Sequence, residues 1–127
     1  NYKGQIDLSS SNQKELDSIR EFNVLVEKNF RKLHQVQDYA DLLFKSSKTI
    51  SNLFSKYSNQ SPLEIIHARL LLEAKRQLIY TDKTAKQIAF EIGFQDIPGF
   101  SRFFKKHTQM SPSQYRNNHL NPENGKN

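Results

Sequence analysis

The stretch Thr84–Arg116, TAKQIAFEIGFQDIPGFSRFFKKHTQMSPSQYR, changes character twice and decides the architecture of the chain. Ala85, Ile88, Ala89 and Ile92 recur at helical spacing and stop at Gly93, a residue free to take the left-handed backbone that a sharp turn demands. Asp96 then offers a side-chain oxygen to cap a second helix, and Pro98 lies in its first turn, where a missing N–H costs little. Phe100, Phe103, Phe104 and His107 run along one side of that second helix, with Ser101, Arg102, Lys105 and Lys106 around the other. One side packs, and the other is suited to something negative. Ser111-Pro112 opens a short last helix through Tyr115 and Arg116. The pattern is helix, turn, helix.

Upstream, Ser61-Pro62 has the signature of a helix start, and Leu63, Ile66, Leu70, Ala74 and Leu78 sustain a helix to Tyr80. At its rise per residue this connecting helix is about 30 Å long. Ser46 and Ser47 supply a capping hydroxyl for an earlier helix whose apolar side holds Ile50, Leu53, Phe54 and Tyr57, and Asn59 suits a left-handed stop. Val36, Tyr39, Ala40 and Leu43 mark a short helix before it. Leu16, Ile19, Phe22, Leu25, Val26 and Phe30 mark a first core helix of roughly four turns. Residues 1–12 read as a polar linker and LNPENGKN as a frayed tail. An opening Asn instead of Met leads to the expectation that the chain is cut from a longer protein.

The chain also repeats itself. Ile50, Ser51, Phe54, Lys56, Ser61 and Pro62 recur as Phe100, Ser101, Phe104, Lys106, Ser111 and Pro112, while Tyr39-Ala40 matches Ile88-Ala89 at an offset one shorter. The second copy is therefore expected to have one extra turn residue, around a Gly93-Phe94 that the first copy lacks. The fold class expected is all-α, with about seven helices in two helix-turn-helix subdomains (13–60 and 82–120) joined by a long central helix (61–81), and a tail over 121–127.

Charge follows the same division. The formal net charge is +6, and none of the 13 acids lies between Phe44 and Leu63 or between Ile97 and Leu120. Each acid-free window covers the second helix of one copy. In a helix-turn-helix this helix enters the major groove while flanking cations and hydroxyls hold phosphates, where an acid would be repelled. A connecting helix of about 30 Å is close to the ~34 Å repeat of B-DNA, which would let two such helices enter successive grooves.

The series Ile88-Ala89, Gly93-Phe94, Asp96, Phe100, Arg102, Phe104-Lys105-Lys106, Ser111-Pro112, Tyr115-Arg116 resembles, in residue type and spacing, the C-terminal signature of the AraC/XylS family of bacterial transcription regulators. The resemblance covers roughly Leu16 to Leu120. It implies a DNA-binding domain in the bacterial cytoplasm, attached to a separate sensing, receiver or oligomerising portion and usually activating transcription. It puts Lys48, Ser51, Asn52, Pro98, Ser101 and Arg102 at groove-facing positions, and Lys45, Ser47, Lys56, Lys105 and Lys106 near phosphates. Double-stranded DNA and RNA polymerase are the partners it implies. Pro98 and Gly99 depart from the polar or aromatic residues usual in the family, which narrows base reading in the second copy towards Arg102 and shifts specificity towards the first. The family's glycine before each Ser-Pro step is Asn59 and Gln109 here, so the turn at Gln109 is expected to differ in shape.

Other classes find little support. With no cysteine there is neither a disulfide framework nor a thiolate metal site, and the four histidines lack paired-ligand spacing. Neither a catalytic motif nor a phosphate-cradling glycine loop is present, so no enzyme activity and no cofactor are expected. The apolar runs are too short to span a bilayer, so no membrane contact is expected. The rival reading is a helical protein-interaction module whose basic faces bind an acidic partner such as RNA polymerase.

Overall fold

The computed structural model describes residues 2–120, with side chains described from residue 12. Seven helices follow in order: α1 (Tyr2–Asn29), α2 (Val36–Leu42), α3 (Ser47–Tyr57), α4 (Pro62–Tyr80), α5 (Ala85–Glu91), α6 (Ile97–Thr108) and α7 (Pro112–Leu120). No strand occurs among the described residues, so the all-α expectation holds. The chain divides into two compact units, Asn1–His67 and Ala68–Asn127, with the boundary inside α4. The polar leader expected as a linker is helical from Tyr2, so α1 is 28 residues long where about four turns were expected. The tail beyond Leu120 lies outside the described residues.

In the first unit, α1 contributes Phe22 and Val26, the turn after it Phe30, α2 contributes Tyr39 and Ala40, and α3 contributes Ile50, Leu53 and Phe54 to a buried core. The Phe22 ring meets Phe54 edge-on at 4.9 Å between centroids and Tyr39 at 5.4 Å. The Tyr39 hydroxyl donates to the Leu33 carbonyl at 2.8 Å, and burial, with Asp38 alongside, pushes its pKa up to about 12. The second unit packs Leu70, Ala74 and Leu78 of α4 with Ile88, Ala89, Ile92, Phe100, Phe104 and Tyr115. Leu63, expected in the apolar row of α4, is instead 43% exposed.

Short capping devices set the helix starts. Ser46 accepts from the Thr49 N–H at 3.0 Å, and Asp96 accepts from the Gly99 N–H at 2.7 Å. Thr84 with Gln87, Ser61 with Glu64 and Ser111 with Gln114 each close a reciprocal pair of side-chain to backbone bonds. The two Ser-Pro steps are thus built alike but close on unlike groups. The Ser61 backbone and hydroxyl hold the Glu64 carboxyl below its usual range, whereas Gln114 is neutral.

The turns correct three expectations. The first copy does have a counterpart of Gly93: Phe44 takes the same place with φ 56°, against 99° at Gly93. In each copy the next N–H, of Lys45 or Phe94, reaches back to Ala40 or Ala89 at 2.9 Å. The extra residue of the second copy therefore falls later, at Gln95, just before the cap. Asn59 is not left-handed, since α3 ends earlier on an extended Ser58. Gln109 does adopt the left-handed conformation, at φ 66° and ψ 13°, so that turn keeps its form despite the side chain.

Phe44 is 96% exposed, so no packing offsets its backbone strain. Left-handed backbone at a residue with a Cβ costs on the order of 1–2 kcal/mol, and glycine removes that cost at some loss in chain entropy. Phe44→Gly is expected to stabilise the first unit by about 1 kcal/mol in urea unfolding. An unchanged or lower midpoint would show that the turn is not strained.

Candidate nucleic-acid interface

The two repeated helices present matching faces. At roughly 100° per residue, Lys48, Ser51, Asn52 and Ser55 share one side of α3, and Pro98, Ser101, Arg102 and Lys105 share the corresponding side of α6. All four on α3 are exposed, as are Pro98, Arg102 and Lys105, while Ser101 is half-buried. The opposite sides of both helices are buried through Ile50, Leu53 and Phe54, and through Phe100 and Phe104. Core packing in each unit thus turns one polar, acid-free face outward.

Five cations of the two acid-free windows have no ion pair among the described residues: Lys45, Lys48, Arg102, Lys105 and Lys106. Lys45 is exposed and lies beside a depression of about 210 Å³ lined by Lys14, Glu15, Ser18, Thr49 and Leu53. It therefore stands on the α1 side of α3, away from Lys48, Ser51 and Asn52. Ser47 is half-buried, and its hydroxyl donates to Gln37 Oε1 at 2.6 Å. Lys56 is engaged too, with its ammonium 3.0 Å from Glu15 Oε1 on α1.

In α6 the first turn is committed to its own cap. Pro98 has no N–H and that of Gly99 is bound by Asp96. A Cβ at Gly99 would lie 2.9 Å from Asp96 Oδ1, which explains a glycine there: any side chain crowds the capping carboxylate. The fewer donors expected at this end of α6 follow from the way the helix is started. Farther along, Phe94 contacts both Phe100 and Phe103, at 5.5 and 5.3 Å between ring centroids, and Phe103 stacks near His107 at 4.8 Å. These aromatics pack among themselves.

Sequence reasoning missed the role of Arg116, which stood as one more cation in an acid-free window. Its guanidinium donates to the carbonyls of Leu78 at 2.8 Å, Thr81 at 3.2 Å and Lys83 at 2.7 Å. These close the C-terminal end of α4, where helix carbonyls lack intrahelical partners and a cation complements the dipole. Its partners lie more than thirty positions upstream, and nothing local signals them.

Among the described residues no group of three or more His, Cys, Asp and Glu is placed to hold a metal ion, and no helix is long and apolar enough to cross a membrane.

Comparison with known proteins agrees with this geometry. The helix-turn-helix domain family matches residues 39–118. The uncharacterized HTH-type transcriptional regulator YobQ of Bacillus subtilis is 33% identical over 87 residues, covering 68% of this chain and 34% of that protein. The C-terminal domain of the two-component response regulator yesN of Fusobacterium nucleatum superposes with a TM-score of 0.71 at 27% identity, over 83% of this chain and 98% of that one. An AraC-type transcriptional regulator of Chromobacterium violaceum superposes with a TM-score of 0.70 at 26% identity, over 89% and 98%. The chain spans about a third of the length of the curated relatives it matches first. Two capped helix-turn-helix units with outward polar faces, matched over most of their length by such proteins, place the chain in the AraC-type helix-turn-helix family of DNA-binding transcription regulators.

Proposed function

We propose that this chain binds double-stranded DNA sequence-specifically at promoters and activates transcription, with α3 and α6 reading successive major grooves. The observation that carries the reading is the pair of matching faces: each largely exposed, free of acids, bearing unpaired cations, and turned outward by a buried apolar side. Lys48, Ser51, Asn52, Pro98, Ser101 and Arg102 face base edges. Arg102 is suited to the O6 and N7 of guanine, and Asn52 to adenine. Lys45, Lys105 and Lys106 lie near phosphates, adding affinity and salt dependence without choosing sequence. Ser47 and Lys56 belong to the same group, but each must first leave a partner inside the protein. Activation makes RNA polymerase a partner, contacted by this domain or by the remainder of a longer regulator.

Selection from a random duplex library tests the reading. A two-part recognition site is expected, and affinity for it should fall with salt by about 0.9 in log–log slope for each phosphate contacted. If no duplex is retained above random DNA at moderate salt, sequence-specific binding is ruled out. The basic faces would then be left to an acidic protein partner.

A further inference from the structure

We propose that Glu15 is a positioning residue that holds Lys56 back from the DNA backbone and so limits how tightly the first recognition helix grips a duplex. The proposal rests on the DNA-binding reading. Lys56 lies about 80° around α3 from Lys48, on the flank turned towards α1. Its ammonium donates to Glu15 Oε1 at 3.0 Å and stands 5.2 Å from the centre of the Tyr57 ring. The Tyr57 hydroxyl donates to the same Glu15 oxygen at 2.6 Å and lies 3.1 Å from Asn12 Oδ1. One carboxylate thus gathers both the tyrosine and the lysine against α1. These contacts, the tyrosine hydroxyl first, keep the Glu15 carboxyl below its usual range, so it remains charged.

The second copy lacks this arrangement. Lys106 holds the position of Lys56 in the repeat and has no carboxylate partner among the described residues. The Lys56 side chain is 55% exposed and that of Glu15 33%, so the pair is a weak, solvated one worth little in affinity. While it holds, Lys56 is kept from a phosphate. The outcome is a restraint on affinity and not a block, acting on one recognition helix and sparing the other.

Affinity for a random-sequence duplex, measured across a salt series, tests this with Glu15→Gln, Lys56→Gln, the double variant, and Glu21→Gln as an exposed α1 control of equal charge change. Glu15→Gln is expected to bind about two- to fivefold more tightly, the range of an exposed ion pair. Its log–log salt slope should steepen by about 0.9, one phosphate more. Lys56→Gln should abolish the gain, and Glu21→Gln should leave the slope alone. Tyr57→Phe, which removes the hydroxyl but keeps the ion pair, should also keep the wild-type slope; a steeper one there would assign the effect to loosened packing of α1 and overturn the proposal. So would a gain that persists without Lys56, or a Glu15→Gln variant that behaves like Glu21→Gln. Wild-type and Glu15→Gln proteins that both bind with one slope defeat this inference alone. If neither binds any duplex even at low salt, the DNA-binding reading falls with it.

Discussion

Arg116→Ala is expected to destabilise the second unit by about 2–4 kcal/mol, because it strips the end of α4 of its donors and leaves part-buried carbonyls unpaired. For a unit of this size that lowers its thermal midpoint by roughly 10 °C or more. Arg116→Lys should recover only part of the loss, since an ammonium does not reproduce the planar fork that serves Leu78, Thr81 and Lys83 together. A phosphate-binding arginine would behave otherwise: unfolding unchanged, and the salt slope of duplex binding reduced by about 0.9. Thermal unfolding of the free protein followed by a salt series therefore separates the two roles.

Arg116 also marks the limit of what residue order reveals. The caps at Ser46, Ser61, Asp96 and Ser111 were legible because a cap and its partner lie within a few residues, so spacing alone encodes the bond. The buried faces of α3 and α6 were legible through their periodicity. By contrast, the partners of Lys56 and Arg116 are brought in by tertiary packing from 41 and up to 38 positions away. Phe44 failed for a different reason. No glycine stands there to mark the turn, yet the turn needs its backbone left-handed and leaves its ring in solvent. The start of α1 carried no amphipathic signal, so a polar composition hid a helix. The polar side of α6 was legible because it combines local periodicity with an absence of acids. Which cations are free could be learned only from the fold.

That distinction shapes the expected outcome for the recognition helices. Arg102 is exposed on α6, has no ion-pair partner among the described residues, and follows a first turn whose donors are spent on Asp96 or missing at Pro98. Little else at that end of the helix reaches a base edge, so the specificity of the second unit should concentrate in this one side chain. Arg102→Ala is expected to cost ~1–3 kcal/mol on the selected site and to relax preference at a single base pair. Because Arg102 lies on the outward face and contributes nothing to the Phe100–Phe104 core, the thermal midpoint should not move. Lys106, on the flank of the same helix, offers only a point charge: Lys106→Ala should weaken selected and random duplexes alike and reduce the salt slope by about 0.9. Repeating the library selection with each variant reads out the difference directly, as one degenerate position for Arg102→Ala and an unchanged site for Lys106→Ala. Equal losses on selected and random DNA for both variants would refute this division of labour and leave base reading to Lys48, Ser51 and Asn52 of α3.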